Sequence, residues 1–259
     1  MTRFASLGSG SQGNSLVFEA GSTRVLLDCG FGPREAQARL ARLSLEAGEL
    51  SGIFVTHEHS DHVGGVLPLA RRHSLPVWMT WGTFCAVRDA DASAVQGATI
   101  HIIDGVSPIA VGDVLAQPYT VPHDAREPVQ FVFSDGKRRL GVLTDTGSST
   151  PHIEASLSGC DALVLETNHD KDMLMKGAYP AWLKARVGGR FGHLDNASSG
   201  QLLAALDCSK LRHLVAAHLS ERNNTPELAR NSLVSVLGCE PDWVAVADQA
   251  DGLGWRDLL

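Results

Sequence analysis

Short apolar runs punctuate this chain, and polar or glycine-containing turns separate them. Residues 15–19 and 24–28 read as strands, with Ala20-Gly21-Ser22 between them as a tight hairpin connection. Residues 33–43 carry apolar side chains at helical spacing, and Pro33 suits a first helical turn. Residues 52–56 (GIFVT) form a short buried strand, and a helix follows over 63–72. Further strands are predicted at 77–80, 99–103, 129–133, 139–144, 162–166, 213–217 and 243–246. Helices are predicted at 196–206 and 225–237, the second with Thr225 as N-cap and Pro226 in its first turn. Strands dominate each half and helices are interspersed. Two sheets, each covered by helices on its outer face, is the packing this pattern calls for. No internal repeat, low-complexity tract or linker stands out, so one domain over residues 1–259 is expected.

Composition narrows the class. Of 259 residues, 44% are hydrophobic and 20% charged, the balance of a folded chain rather than a disordered one. No apolar run approaches the ~18 residues that span a bilayer, so no membrane span is expected. The start, MTRFASLGSGSQGNS, lacks the apolar stretch of an export signal. The five cysteines (Cys29, Cys85, Cys160, Cys208, Cys239) form no CxxC pair, which fits reduced thiols in a cytoplasm. Lys and Arg number 22 against 29 Asp and Glu, a net charge of −7. That argues against a general nucleic-acid binder and leaves room only for a local basic surface. The eleven histidines are the unusual feature, because several fall in polar signatures.

The densest signature is Thr56-His57-Glu58-His59-Ser60-Asp61-His62, between a short apolar strand and a helix. Imidazole nitrogen and carboxylate oxygen both suit zinc, and imidazole also serves iron. His57 and His59 are two apart, so an extended backbone points both to one side. Asp61 and His62 follow the turn into the helix and are placed to face a second ion. A lone histidine near a helix start is usually only solvated, but five such residues in this order outweigh that reading.

This HxHxDH segment after a buried strand resembles the metallo-β-lactamase superfamily of hydrolases. The resemblance implies an α+β fold, a four-layer αββα sandwich, and ligands for two divalent metal ions. It matches Asp28 in LLDCG to the family's early aspartate that braces the metal loop. It matches His123 in TVPHDA, Asp145 in GVLTDTG and His218 in AAHLS to the remaining ligands. The first ion would take His57, His59 and His123, and the second Asp61, His62 and His218, with Asp145 shared. Zinc is the expected metal, with manganese and iron as alternatives. Read alone, His123 and His218 would be surface or structural residues, and Asp28 and Asp145 turn residues. His73, His101, His152 and His213 match nothing.

The opening Leu7-Gly8-Ser9-Gly10-Ser11-Gln12-Gly13-Asn14-Ser15 is similar to the start of the WalJ/YycJ-type branch, related to RNase Z and the cyclic-phosphate phosphodiesterases. Its glycines permit a close backbone approach to a ligand. Residues 166–170 (ETNHD), 192–196 (GHLDN) and 218–224 (HLSERNN) agree with the branch. The resemblance implies that His193 lies beside the metals without binding them and either hydrogen-bonds the scissile phosphate or protonates the leaving oxygen, for which a near-neutral pKa is suited. Asp61 and His193 are thus the expected catalytic residues, and His169 a bracing residue behind the ligands. Residues 171–192 carry Lys171, Lys176, Lys184, Arg186 and Arg190 against Asp172 alone, interleaved with Tyr179, Trp182 and Phe191. Cations for phosphates and rings for bases make Lys176, Lys184 and Arg186 candidate contacts to single-stranded nucleic acid, against the alternative of a solvated helix face.

The implied chemistry is attack on phosphorus by a metal-held water or hydroxide. A phosphodiesterase or exonuclease on nucleic acid is the first expectation. A small-molecule metallohydrolase acting on a cyclic phosphodiester, thioester or lactam is the second. A binding module without catalysis fits poorly, since such modules commonly lose ligands. A flavodiiron-like redox protein fits poorly too, since His62 is intact and no flavin domain fits. Metal and oligomeric state stay open at this stage.

Overall fold

In the computed structural model, which describes residues 1–258, alternating side chains sort the strands into two sheets with three apolar layers. β1 (Thr2–Gly8), β2 (Ser15–Ala20), β3 (Thr23–Leu27), β4 (Gly52–Phe54), β5 (Val77–Thr80) and β6 (Ile100–Ile103) build the first sheet. β7 (Ile109–Val111), β8 (Val114–Thr120), β9 (Val129–Ser134), β10 (Arg139–Leu143), β11 (Ala162–Glu166), β12 (His213–Ala217) and β13 (Val244–Val246) build the second. β14 (Leu253–Asp257) returns to the first sheet and pairs antiparallel with β1. The spatial orders are β14-β1-β2-β3-β4-β5-β6 and β13-β12-β11-β10-β9-β8-β7. Neighbours are antiparallel up to β3 and up to β10, and parallel beyond them.

The period of two along each strand decides which layer a side chain joins. Phe18 points between the sheets and stacks on Phe133, with centroids 5.5 Å apart, while its neighbour Val17 faces the outer helices. α1 (Pro33–Arg42), α2 (Ser60–Val63), α3 (Val66–His73) and α4 (Trp81–Ala90) belong to the first half. Ala36 and Leu40 of α1 and Leu69 and Ala70 of α3 cover the first sheet. α5 (Pro151–Leu157), α6 (Lys171–Lys176), α7 (Ala181–Val187), α8 (Asn196–Ala205) and α9 (Pro226–Leu237) belong to the second. Ile153 of α5, Leu202 of α8 and Leu233 of α9 cover the second sheet. The result is the four-layer αββα sandwich of the metallo-β-lactamase type. No helix among the described residues is long and apolar enough to cross a membrane.

Most predicted strands and helices are present, with the strands before the ligand loops ending earlier. β3 stops at Leu27, β4 at Phe54 and β10 at Leu143, because the chain must turn there to deliver the next residues. The helix expected at 63–72 is two, α2 and α3, broken at Gly64-Gly65. A side chain at Gly65 would put its Cβ 1.7 Å from the Phe31 carbonyl oxygen, so the backbones meet only through glycine. The sequence reading passes over β1, β7, β8, β14 and α4 to α7. β8 contains Pro118, which argues against a ladder strand. The ladder tolerates it because β7 pairs only with Val114–Ala116 and has ended before Pro118.

Candidate metal centre

In the first sheet β1, β3 and β4 run one way, in the second β8, β10, β11 and β12 run one way, and the loops after these strands bring their residues into one cluster. Asp28 follows β3 and His218 follows β12 directly, while Asp145 follows the end of β10 by two residues. All three adopt left-handed backbone, with φ of 56°, 55° and 54°. For residues other than glycine this costs ~1–3 kcal/mol each and clusters at functional sites.

The seven predicted ligands converge. His57, His59 and His123 offer nitrogens that lie within 4.8 Å of one another. So do the ligand atoms of His57, His62 and Asp145, of Asp61, His62 and His218, and of Asp145, Glu166, His193 and His218. Three buried atoms in this cluster, His57 Nε2, Asp145 Oδ2 and His218 Nε2, have no hydrogen-bond partner among the described residues. His62 Nε2 is 2.9 Å from Asp145 Oδ2 but too far out of line to satisfy it. Each such orphan costs ~1–3 kcal/mol. A cation removes that cost, and nitrogen donors with a shared carboxylate suit a divalent ion such as zinc.

Neighbours fix which nitrogen each imidazole presents. Thr56 donates its backbone N–H to Asp28 Oδ1 and its hydroxyl to Asp28 Oδ2, both at 2.8 Å. His62 Nδ1 lies 2.9 Å from Asp28 Oδ2, which turns Nε2 toward Asp145. Thr56 Oγ1 also meets His57 Nδ1 at 2.9 Å, and the Gly192 carbonyl meets His123 Nδ1 at 3.1 Å. Asp28 therefore orients His62 directly and His57 through Thr56. The glycine loop also braces. Ser9 Oγ accepts the His218 backbone N–H at 2.8 Å, and Asn14 Nδ2 donates to Asp61 Oδ2 at 3.3 Å. The loop thus holds His218 and Asp61 in place.

The electrostatics follow from this packing. Burial and the neighbouring His62 push His57 well below its ordinary pKa, so it is neutral. Burial opposes charge on His62 and His218 as well. Asp145 and Asp28 overcome it and raise His62 well above its usual value, and Asp145, Asp61 and Glu166 bring His218 to about 10.

Glu166 is the residue the sequence reading misses. It ends the fully buried strand β11, and its carboxylate takes four donors. Oε1 meets His193 Nδ1 at 2.8 Å and His218 Nδ1 at 3.1 Å. Oε2 accepts the backbone N–H groups of Thr146 at 3.0 Å and Leu194 at 3.2 Å. Burial alone would raise its pKa, but His193 and His218 outweigh burial and bring it to about 2. A glutamate closing an otherwise apolar run (ALVLE) was the available signal. His193 sits between the two clusters, its ring 5.4 Å from that of His123 and 5.3 Å from that of His218. Glu166 occupies Nδ1 and leaves Nε2 for another partner, and the side chain is 22% exposed against 2% for His218.

The remaining predicted residues lie further out. His169 is buried, and its Nδ1 meets the adjacent Asn168 Oδ1 at 3.2 Å. Asn168 in turn donates to the His218 carbonyl at 2.9 Å. Lys176 pairs with Asp172 at 2.7 Å, Lys184 donates to the Met175 carbonyl at 2.7 Å, and Arg186 Nε donates to Asp124 Oδ2 at 2.6 Å. Asp124 Oδ1 is 3.4 Å from His123 Nε2, which puts Arg186 one residue removed from the cluster.

Residues 23–219 match the family model described as a beta-lactamase superfamily domain. The chain is 35% identical over 235 residues to exodeoxyribonuclease YycJ of Bacillus anthracis, covering 90% of this chain and 88% of that protein. It is 30% identical over 236 residues to exodeoxyribonuclease WalJ of Streptococcus pneumoniae, covering 91% and 88%. Among solved structures, the metallo-β-lactamase fold protein YhfI of Bacillus subtilis superposes with a TM-score of 0.75 at 16% identity, covering 99% of this chain and 100% of that one. Human short-form tRNase Z superposes with a TM-score of 0.68 at 15% identity, covering 99% of each. The two structural likenesses speak to the fold.

Proposed function

The chain belongs to the beta-lactamase superfamily, and from that premise we propose that it is a two-metal phosphodiesterase that degrades DNA from an end. One observation carries the reading. Seven ligand side chains and a Glu166-oriented His193 converge in one cluster, with orphaned nitrogen and oxygen atoms among them. The two relatives named exodeoxyribonuclease, each matched over about nine-tenths of this chain, support DNA as the substrate class.

His57, His59 and His123 would hold one ion and Asp61, His62 and His218 the other, with Asp145 between them. Zinc suits this donor set, and manganese and iron are the alternatives. Two such ions supply Lewis acidity and an activated water for displacement at phosphorus. The chain's own residues do the rest. Asp28, Thr56 and Asn14 hold the ligands' orientation. Glu166 stabilises a proton on His193, whose pKa it raises against the effect of burial. His193 Nε2 delivers a proton to the departing oxygen, worth ~10²–10⁴ in rate. The same reading places the protein in the cytoplasm, where its five unpaired thiols stay reduced.

The test is direct. Protein loaded separately with zinc, manganese or iron is given end-labelled single-stranded and duplex DNA, RNA, a cyclic phosphodiester and a thioester. A ladder shortening from one DNA end is expected. Turnover of the cyclic diester or thioester with DNA left intact under all three metals would replace this reading with a small-molecule hydrolase.

A further inference from the structure

We propose that the protein grips a DNA end chiefly by stacking unpaired bases on two aromatic ledges beside the metal cluster, and only secondarily by neutralising phosphates. The inference rests on the nuclease reading above and names the form of DNA the site takes.

Four Trp and Phe rings are exposed among the described residues: Trp81, Trp182, Phe191 and Trp243. The first three are 55%, 67% and 61% exposed and belong to segments tied to the metal-ligand loops. Trp81 opens α4. The next residue, Gly82, donates its N–H to Glu127 Oε2 at 2.6 Å, and Thr80 Oγ1 donates to the Glu127 carbonyl at 2.9 Å. Glu58, between His57 and His59, accepts the Arg126 N–H at 2.7 Å. The start of α4 is thereby fixed against the loop that follows His123. At the other end of that loop, the Asp124 N–H donates to the Phe191 carbonyl at 2.9 Å. Phe191 stands two residues before His193. Trp182 lies one helical turn before Arg186, whose guanidinium holds Asp124. The 124–127 segment therefore carries one aromatic ledge at each end.

The α4 ledge is more than one ring. Trp81 stacks on Phe84 with centroids 5.3 Å apart and planes 25° from parallel. The Arg88 guanidinium lies 5.7 Å from the Phe84 ring centre. Residues 81, 84 and 88 recur at helical spacing, so ring, ring and guanidinium run along one face of α4. Every base has a π-face, which makes such a track tolerant of sequence. Bases paired inside a duplex offer no free face, so the ledges select unpaired ends.

The cations point the same way. Lys176, Lys184 and Arg186 each already have a partner in the protein, at 2.7, 2.7 and 2.6 Å. The chain as a whole carries −7. Exposed rings on segments tied to the ligand loops, with three of the five cations of residues 171–190 already engaged, are what stacking recognition requires.

The test uses metal-loaded full-length protein and a fluorescent phosphorothioate oligonucleotide that resists cleavage. Trp81→Ala and Trp182→Ala are each expected to weaken binding by about 5- to 100-fold, and Trp→Phe at either position to restore most of it. On cleavable DNA the loss should appear in KM, with kcat little changed and metal content equal to wild type. Wild type should prefer an overhang to a blunt end, and both alanine variants should lose that preference. The slope of log Kd against log salt should stay below the ~0.7 per phosphate contact summed over three cations. Unchanged binding and KM in both alanine variants would overturn the proposal, as would a steep salt slope abolished by Lys176→Ala, Lys184→Ala and Arg186→Ala together. Wild type that hydrolyses bis-p-nitrophenyl phosphate yet neither binds nor cuts DNA would instead sink the nuclease reading beneath it.

Discussion

Replacing Glu166 with glutamine changes one atom type and should switch two histidines. Oε2 accepts two buried backbone N–H groups, from Thr146 and Leu194, which have no other acceptor to turn to. The amide oxygen of Glu166→Gln must stay there. The amide nitrogen then faces Nδ1 of both His193 and His218, where Glu166 Oε1 now sits at 2.8 and 3.1 Å. An NH₂ group donates, so both Nδ1 atoms must accept, and the one proton each ring then keeps is held on Nε2. For His218 that holds the proton on the nitrogen that faces Asp61 Oδ2 at 3.6 Å and has no hydrogen-bond partner among the described residues. A protonated nitrogen binds no metal.

The magnitude follows from the bonds involved. Removing the partner that orients a metal-ligating histidine costs 10–100-fold in affinity, or ~1.4–2.7 kcal/mol. His193 also loses the carboxylate that raises its pKa, and with it up to ~10²–10⁴ in rate. The fold should survive, because every buried backbone donor keeps an acceptor. Glu166→Ala would orphan two of them at ~1–3 kcal/mol each, a large part of the ~5–15 kcal/mol that holds a domain together. Chelator competition for metal affinity, circular dichroism for fold and a DNA ladder for turnover read the three effects separately. Glu166→Gln protein that binds both ions as tightly as wild type and cleaves as fast would refute the tautomer argument.

Asp145→Ala should lower metal content at both positions together, since its carboxylate belongs to clusters with His57 and with His218; elemental analysis showing one ion lost and one fully kept would count against a shared ligand. His193→Ala should keep both ions and lose ~10²–10⁴ in rate on DNA, with a smaller loss for a nitrophenyl ester whose leaving group needs little protonation. Metal loss in that variant would make His193 a ligand. Zinc loading should release ~2 protons per chain near neutral pH, because His62 and His218 have raised pKa values and carry protons until a metal takes Nε2. Raised values favour the metal-free form as pH falls, so affinity should drop on acidification. Indicator-dye titration showing no proton release would contradict that charge assignment.

The legible part of the site is the part that is contiguous. His57 to His62 put five ligand-type side chains in one loop, and no folding is needed to see them together. His123, Asp145 and His218 become legible only in order along the chain, because strand pairing across distant segments brings them into the same cluster. Glu166 was illegible because a strand-ending carboxylate looks alike whether it faces solvent or four buried donors. The pairing of β14 with β1 joins Arg3 to Asp257 across nearly the whole chain, which local pattern does not carry. β8 carries Pro118, which local pattern reads as a ladder breaker and which is admitted only because β7 pairs with Val114–Ala116 and not beyond. The cations at 176, 184 and 186 were visible as charges, but their partners were not.

The two sheets share one plan, and that plan accounts for His169. Each runs through antiparallel neighbours to a turning strand, β3 or β10, and then through parallel ones. After each turning strand the chain writes the same turn: Leu26-Leu27-Asp28-Cys29-Gly30 and Leu143-Thr144-Asp145-Thr146-Gly147. Both aspartates are left-handed, at φ 56° and 54°. A Cβ on Gly30 would lie 1.9 Å from the Asp61 oxygen, and one on Gly147 2.4 Å from the Arg190 carbonyl, so each turn requires glycine for close approach. Leu26 pairs with Ile53, four residues before His57, and Leu143 pairs with Leu165, four residues before His169. His169 thus stands in the second half where His57 stands in the first, yet among the described residues its ring has a hydrogen bond with Asn168 alone. What binds that stretch to the site is backbone and the Asn168 amide. His169→Gln should therefore leave metal content at wild type and change turnover less than about tenfold, well under the ~10²–10⁴ expected for His193. Loss of the ion held by His218 in that variant would show that the side chain, and not the backbone around it, braces the second site.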